Sequence, residues 1–230
     1  SVVLSPGQRI HGSLIIAAGE TRELVLKLMD KYGDPHAIER AMGFSQASAR
    51  LELRLLHIQP DDARRFQQLA SHLLFSNPLL RPSAECIEGN CKGQAGLWPY
   101  GISGDLPIVL ITIGEAQDIP LVRQMFQAHA YWQNHGLKVD LVILNEEASG
   151  YEQPLRERLD RLVQTHAMHA GIDQPGGVYV RNADLMPEED VTLLMTAASV
   201  VLVAARGTVP QQLSMPAEAP ELPEPIVKKP

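Results

Sequence analysis

The spacing of hydrophobic positions changes three times along the chain. Val2–Leu4 and Ile10–Ala18 are short, β-branched apolar runs around Pro6-Gly7, which predicts two strands and a turn, read as the edge of an upstream β-sandwich over residues 1–18. From residue 19 the period becomes helical. Leu24, Leu28 and Met29 share one side of a segment that Gly33 stops, and Asp34 at the N-cap with Pro35 behind it opens a second helix. That helix reaches about His57 on a stripe of Ile38, Met42, Ala49, Leu53 and Leu56, with Gly43 loosening its middle. A third starts at Pro60-Asp61-Asp62 and turns Phe66, Leu69, Leu73 and Leu74 inward until Asn77-Pro78. Residues 19–78 therefore read as a three-helix linker.

The pattern dissolves between Leu79 and Tyr100 into Pro, Gly, Asn and Ser, an ordered loop anchored by Trp98 and Tyr100. Continuous apolar runs follow at 107–113, 138–145, 177–182 and 199–204, alternating with helical patterns at 117–135, 151–170 and 187–197. Strands buried on both faces and separated by helices imply βαβ crossovers. The expected fold over 79–213 is α/β: a Rossmann-like, mostly parallel four-stranded sheet with helices on both faces. Residues 214–230 hold five prolines and three glutamates and read as a linker. That tail, and an opening without an initiator Met, suggest a domain cut from a longer polypeptide.

At 230 residues, 45% hydrophobic and 20% charged, the composition is that of a soluble globular protein. A net charge of -7, with 20 Lys and Arg scattered among 27 Asp and Glu, argues against nucleic acid or an anionic membrane surface as partner. The longest apolar runs fall well short of the ~20 residues of a membrane span, so no direct membrane insertion is expected. Cys86 and Cys91, the only cysteines, cannot build a four-ligand zinc site and are expected as free thiols.

Candidate chemistry gathers in LWPYGISGDLP. Asp105 lies between Gly104 and the first buried strand, where it either caps its own turn with Ser103 or reaches a ligand. Trp98 and Tyr100 either stack on a sugar or fill the core. Glu146 and Glu147 follow the second strand at its carboxyl end, the side on which open parallel sheets bind ligands, and either serve as an acid–base partner to Asp105 or form a solvated loop. No glycine motif follows a strand and opens a helix, so no dinucleotide or ATP cofactor is expected. His166 and His169 share one helical face, but no Asp, Glu or Cys completes a metal set; His129 and His135 merely flank Trp132.

Tyr32-Gly33-Asp34-Pro35-His36-Ala37 resembles the helix start that follows the sugar-binding β-sandwich in cellobiose-phosphorylase-like enzymes of glycoside hydrolase family 94. GISGDLPIVLITI, with Ala128–Trp132 and VDLVILNE, is similar to an internal part of cyclic β-1,2-glucan synthases, and the similarity extends over most of residues 1–213. The resemblance implies an accessory or structural domain in a large bacterial protein at the cytoplasmic side of the inner membrane. β-Glucan and neighbouring domains of the same polypeptide would be its partners, and Trp98, Tyr100, Ser103 and Asp105 its sugar contacts. In such phosphorylases a Gly-Phe-Arg-Asp turn holds the substrate; Asp105 matches its Asp, while Ile102-Ser103-Gly104 offers no Arg. No Asp-Trp-Asn-Asp motif supplies a general acid. The alternative is a degenerate or self-contained carbohydrate-active enzyme using Asp105 with Glu146 or Glu147.

Overall fold

The computed structural model describes residues 3–10, 14–147 and 154–214, the side chains of Pro35 and 166–170 excepted. The chain divides into two compact units, Ser1–Leu55 and Leu56–Pro230.

In the first unit α1 (Arg22–Tyr32) and α2 (Pro35–Leu55) pack against each other. Thr21 caps α1 by accepting from the Leu24 N–H at 3.2 Å, and the Asp34 carboxylate accepts from the His36 N–H at 3.1 Å to start α2. Gly43 lies inside an unbroken helix. The strands expected at 2–4 and 10–18 are not formed among the described residues, and Val3, Leu14 and Ile16 are almost fully exposed. A strand needs a ladder partner, and these runs find none among the described residues. Of the stripe read from the sequence, Met42 and Ala49 are exposed while Ile38, Leu53 and Leu56 are half-buried, and Leu51 and Leu55, off that stripe, are exposed as well.

In the second unit β1 (Ile108–Ile113), β2 (Asp140–Asn145), β3 (Val178–Asn182) and β4 (Val200–Val203) form an all-parallel sheet of order β3-β2-β1-β4. Register pairs Ile108 with Asp140 and Ile113 with Asn145. α5 (Ile119–Asn134) and α6 (Pro154–Ala170) connect strands stepping one way across the sheet, and α7 (Glu188–Ala197) brings the chain back. Right-handed crossovers therefore put α5 and α6 on one face and α7 on the other. Leu97, Leu193 and Leu194 join Ile108, Leu110, Val142, Leu144, Tyr179 and Val201 in the core on the α7 side. By the alternation of strands, Val109, Ile111, Leu141, Ile143 and Leu202 face the opposite layer, all of them fully buried.

α3 (Pro60–Leu74), expected as linker, packs on α5. Its Ala63, Phe66, Leu69 and Leu73 are buried, whereas Leu74, expected inward, is 65% exposed. The Trp132 indole N–H donates to the Phe66 carbonyl at 2.9 Å, and Gln67 donates to the Tyr131 hydroxyl at 2.8 Å. His129 is fully buried, with Nε2 2.9 Å from the Val139 carbonyl, and burial holds its imidazole below the usual histidine range.

The segment read as a loop between Leu79 and Tyr100 is built of short helical pieces: a 3-10 turn at Pro78–Leu80, α4 (Ala84–Gly89) and a longer 3-10 turn at Gln94–Tyr100. Asn77 caps the first and Ser83 caps α4. Arg81 donates to the carbonyls of Thr196 at 2.9 Å and Ala198, closing the C-terminal end of α7. A final short helix, α8 (Val209–Leu213), was absent from the hydropathy pattern. Its buried Gln212 accepts from the Val203 N–H and donates to the Val203 and Gly207 carbonyls, so an amide side chain completes the ladder at the edge of β4. Cys86 and Cys91 are free thiols, as expected. The proline-rich tail beyond Ser214 and the side chains of His166 and His169 lie outside the described residues.

Candidate functional site

The 3-10 turn from Gln94 to Tyr100 sets alternate fates for neighbouring side chains. Leu97 points into the core at 1% exposure while Trp98 is 63% exposed. Gly96 makes this approach possible, because a Cβ there would lie 2.6 Å from Cδ2 of Leu193 on α7. Trp98 is thus a free aromatic face, not core filling. Tyr100 is held from two sides: its hydroxyl donates to Asp190 Oδ2 at 2.7 Å, and its carbonyl accepts from Arg181 Nε at 3.0 Å.

Asp190, in the first turn of α7, also takes a hydrogen bond from Lys92 Nζ at 2.7 Å, and Lys92 reaches Glu189 at 3.1 Å. These bonds, Lys92 first and Tyr100 second, hold the Asp190 carboxyl below the usual range. The same bonds to Asp190 and Glu189 raise Lys92, and burial followed by the Asp190 bond raises the Tyr100 phenol. The second aromatic of the motif is therefore a clamp between the turn and α7.

Ser103 and Asp105 sit in a turn held by Gln94. The Ser103 hydroxyl accepts from the Asp105 N–H at 3.1 Å, while Gln94 Nε2 donates to the Ser103 carbonyl at 2.8 Å and to Asp105 Oδ1 at 3.1 Å. Gly104 adopts φ 77°, and a Cβ on it would stand 2.8 Å from Gln94 Cγ. The glycine admits the protein's own glutamine, and of the two readings open in the sequence, a capped turn or a ligand contact, the bonds within the turn are those of the first.

Glu146 and Glu147 do not meet Asp105. Asp105 precedes β1 at the amino edge of the sheet and the glutamates follow β2 at the carboxyl edge, with six-residue parallel strands between them. That separation is roughly 20 Å at the rise of a strand. A pair of glycosidase carboxylates needs roughly 5–9.5 Å. Glu147 instead caps α6, its two carboxylate oxygens accepting from the N–H groups of Leu155 and Arg156, both at 3.3 Å. Partial desolvation raises the Glu146 carboxyl, although the residue as a whole remains exposed.

What the structure does bring together beside the aromatic turn is a groove of about 470 Å³ between residues 99–101 and the β3 edge, lined further by Asp173, Arg181, Asn182, Leu185 and Met186. Arg181 organises it. Its Nη2 meets Asp173 Oδ1 at 2.8 Å, and its guanidinium carbon lies 5.4 Å from the Tyr179 ring centroid. Neither Asp173 nor Arg181 was singled out from the sequence, where the signal would have been a guanidinium inside an otherwise apolar strand. Beneath the groove, the Tyr179 phenol is pushed up to about 12 by burial, with Asp140 and Asp173 adding to it. Asp140 is buried; its Oδ1 accepts from the Gly176 N–H at 2.7 Å, and its Oδ2 and the Tyr179 hydroxyl have no hydrogen-bond partner among the described residues. Burial raises the Asp140 carboxyl, and the charge of Asp105 raises it further.

Among the described residues no group of three or more His, Cys, Asp or Glu side chains is arranged to hold a metal, and no helix is long and apolar enough to cross a membrane. No family model matches the chain. Among curated proteins it is similar to the cyclic beta-(1,2)-glucan synthase NdvB of Rhizobium meliloti (strain 1021), with 29% identity over 209 residues. The match takes in 90% of this chain but 7% of the synthase, so the chain corresponds to a small part of that relative's length.

Proposed function

We propose that this chain, related in sequence to a cyclic glucan synthase, is an accessory domain of a carbohydrate-active bacterial protein of that kind, and that it contacts β-1,2-glucan through its aromatic turn without carrying out the chemistry. The observation that carries this reading is Trp98: an indole 63% exposed, in a turn whose next residues, Pro99 to Gly101, line a groove with the Arg181–Asp173 pair on its polar side. Aromatic faces stack on the apolar face of a pyranose while a guanidinium and a carboxylate bond its hydroxyls. The wide separation of Asp105 from Glu146 and Glu147 supports a binding role over a catalytic one. Val3, Leu14, Ile16, Met42 and Phe44 on the first unit are exposed apolar groups of the kind that neighbouring domains of the same polypeptide would cover. The setting that goes with this reading is the cytoplasmic face of the inner membrane, within a larger membrane protein.

Tryptophan fluorescence tests it directly, because Trp132 is 2% exposed and only Trp98 can report a ligand at the surface. Titration of the chain with β-1,2-gluco-oligosaccharides to millimolar concentration is expected to shift the emission, and Trp98→Ala to abolish the shift. An unchanged spectrum across that range would remove the sugar-contact proposal.

A further inference from the structure

At the carboxyl edge of the sheet, on the α5 and α6 face opposite the one that carries the aromatic turn, a second cleft of about 420 Å³ opens between the N-terminal halves of α5 and α6. Among the described residues its walls carry three guanidinium groups, Arg123, Arg158 and Arg161, and no carboxylate. In a chain of net charge -7 such a concentration of one sign is unexpected. Ordinary surface arginines are shared with neighbouring acids, as Arg64 is with Asp61 and Arg65 with Asp62. Among the described residues Arg123 and Arg158 have no ion-pair partner, and Arg161 reaches Glu157 only at 4.0 Å. Like charges held together without counter-charges repel one another, and a bound anion relieves that repulsion.

The cleft shares Ile119, Pro120 and Arg123 with an adjoining hollow of about 480 Å³. That hollow is lined by Gln124, Gln127 and Thr208, and its one acid among the described residues, Asp62, is already engaged by Arg65 at 2.8 Å. Thr208 follows β4, whose neighbour β1 leads into α5, so the hollow lies beside the point where strand order reverses. Open parallel sheets bind ligands at this position.

We propose that this two-lobed cleft binds a phosphate-bearing small molecule, with its oxyanion on Arg123, Arg158 and Arg161 and its uncharged, polar remainder in the lobe of Gln124, Gln127 and Thr208. Guanidinium forks match the oxygens of a phosphate group, and the combined space exceeds that of a bare anion. The assignment is independent of glucan contact at Trp98.

Calorimetric titration of the 230-residue chain with inorganic phosphate and with pyrophosphate tests the site. Saturable binding is expected, tighter for pyrophosphate. Arg123→Gln and Arg158→Gln should each weaken it at least about tenfold, the effect of losing a charge-assisted hydrogen bond. Arg50→Gln, on α2 in the other unit, should leave it unchanged. Both cleft arginines are exposed, and circular dichroism of the variants will show native folding. Sedimentation with vesicles containing anionic phospholipid separates a soluble phosphate ester from a lipid headgroup. No saturable binding of pyrophosphate, equal weakening by Arg50→Gln, or retention on anionic vesicles without pyrophosphate binding would each overturn the proposal.

Discussion

The Tyr100 hydroxyl donates to Asp190 Oδ2 at 2.7 Å, joining the end of the aromatic turn to the first turn of α7 across 90 residues of chain. The two residues, with Lys92, form a three-way clamp on the α7 face of the sheet. A motif that looks like a ligand platform in one dimension is thereby half structural. Tyr100 fastens the turn, and Trp98 is left outside.

The clamp has a pH signature. Asp190 is held below its ordinary value in the folded protein, so it binds fewer protons there than in the unfolded chain near pH 4; its contribution is present above the unfolded value and is lost as pH falls through the folded one. Thermal midpoints of the parent and of Asp190→Asn should therefore differ most at pH 7 and converge toward pH 3. A difference that does not change with pH would refute the assignment.

Asp140 carries the opposite sign. Burial raises its folded value, so its ionised form opposes folding above that value, and the penalty is relieved as pH falls below it. Asp140→Asn keeps the acceptor for the Gly176 N–H and removes the buried charge. Urea denaturation at pH 7 should show a more stable variant, with the gain shrinking toward pH 4. A destabilised variant at neutral pH would show that the carboxylate is required.

Arg81 satisfies the last carbonyls of α7 from a position more than 100 residues earlier. Arg81→Met retains the aliphatic stem and removes both bonds. Loss of hydrogen bonds from a charged donor should lower unfolding free energy by about 2 kcal/mol. Native-state hydrogen exchange should show the last turn of α7 opening first; a change below about 0.5 kcal/mol would count against the cap.

Two glycines should respond in opposite directions. A Cβ at Gly43, in the middle of α2, meets nothing within 4 Å, so Gly43→Ala should stabilise α2 by about 0.5–1 kcal/mol through lower unfolded-state entropy. At Gly104 the φ of 77° and the 2.8 Å approach to Gln94 Cγ make alanine doubly unfavourable, at a cost of about 1–2 kcal/mol or more. Thermal melts of the two variants, read for the sign of the change, decide both.

Much of the fold was legible in the sequence because its elements are local. The helix from Pro35 declares itself through Asp34, and β1 and β2 are apolar runs that only a strand buried on both faces accommodates. α8 escaped because five residues are too few to show a period, and its key residue, Gln212, acts on an edge strand nine positions away. The N-terminal apolar runs have a spacing that suits the edge strands of an upstream β-sandwich, but no strand forms among their described residues, because pairing needs a partner that local spacing cannot supply.

The sequence by itself determined the alternation of strands and helices from β1 to β4, the parallel sense of the sheet and the presence of an aromatic, glycine-bordered turn, since propensity, capping and hydrophobic period are properties of neighbouring residues. Only the tertiary structure decided that Trp98 faces solvent while Tyr100 is bound to Asp190, and that Asp105 and Glu146 stand at opposite ends of the sheet. It alone gathered Arg123 with Arg158 and Arg161, and Asp173 with Arg181. Those relationships depend on strand direction, crossover hand and register, which bring together residues tens of positions apart and leave no mark in any local window.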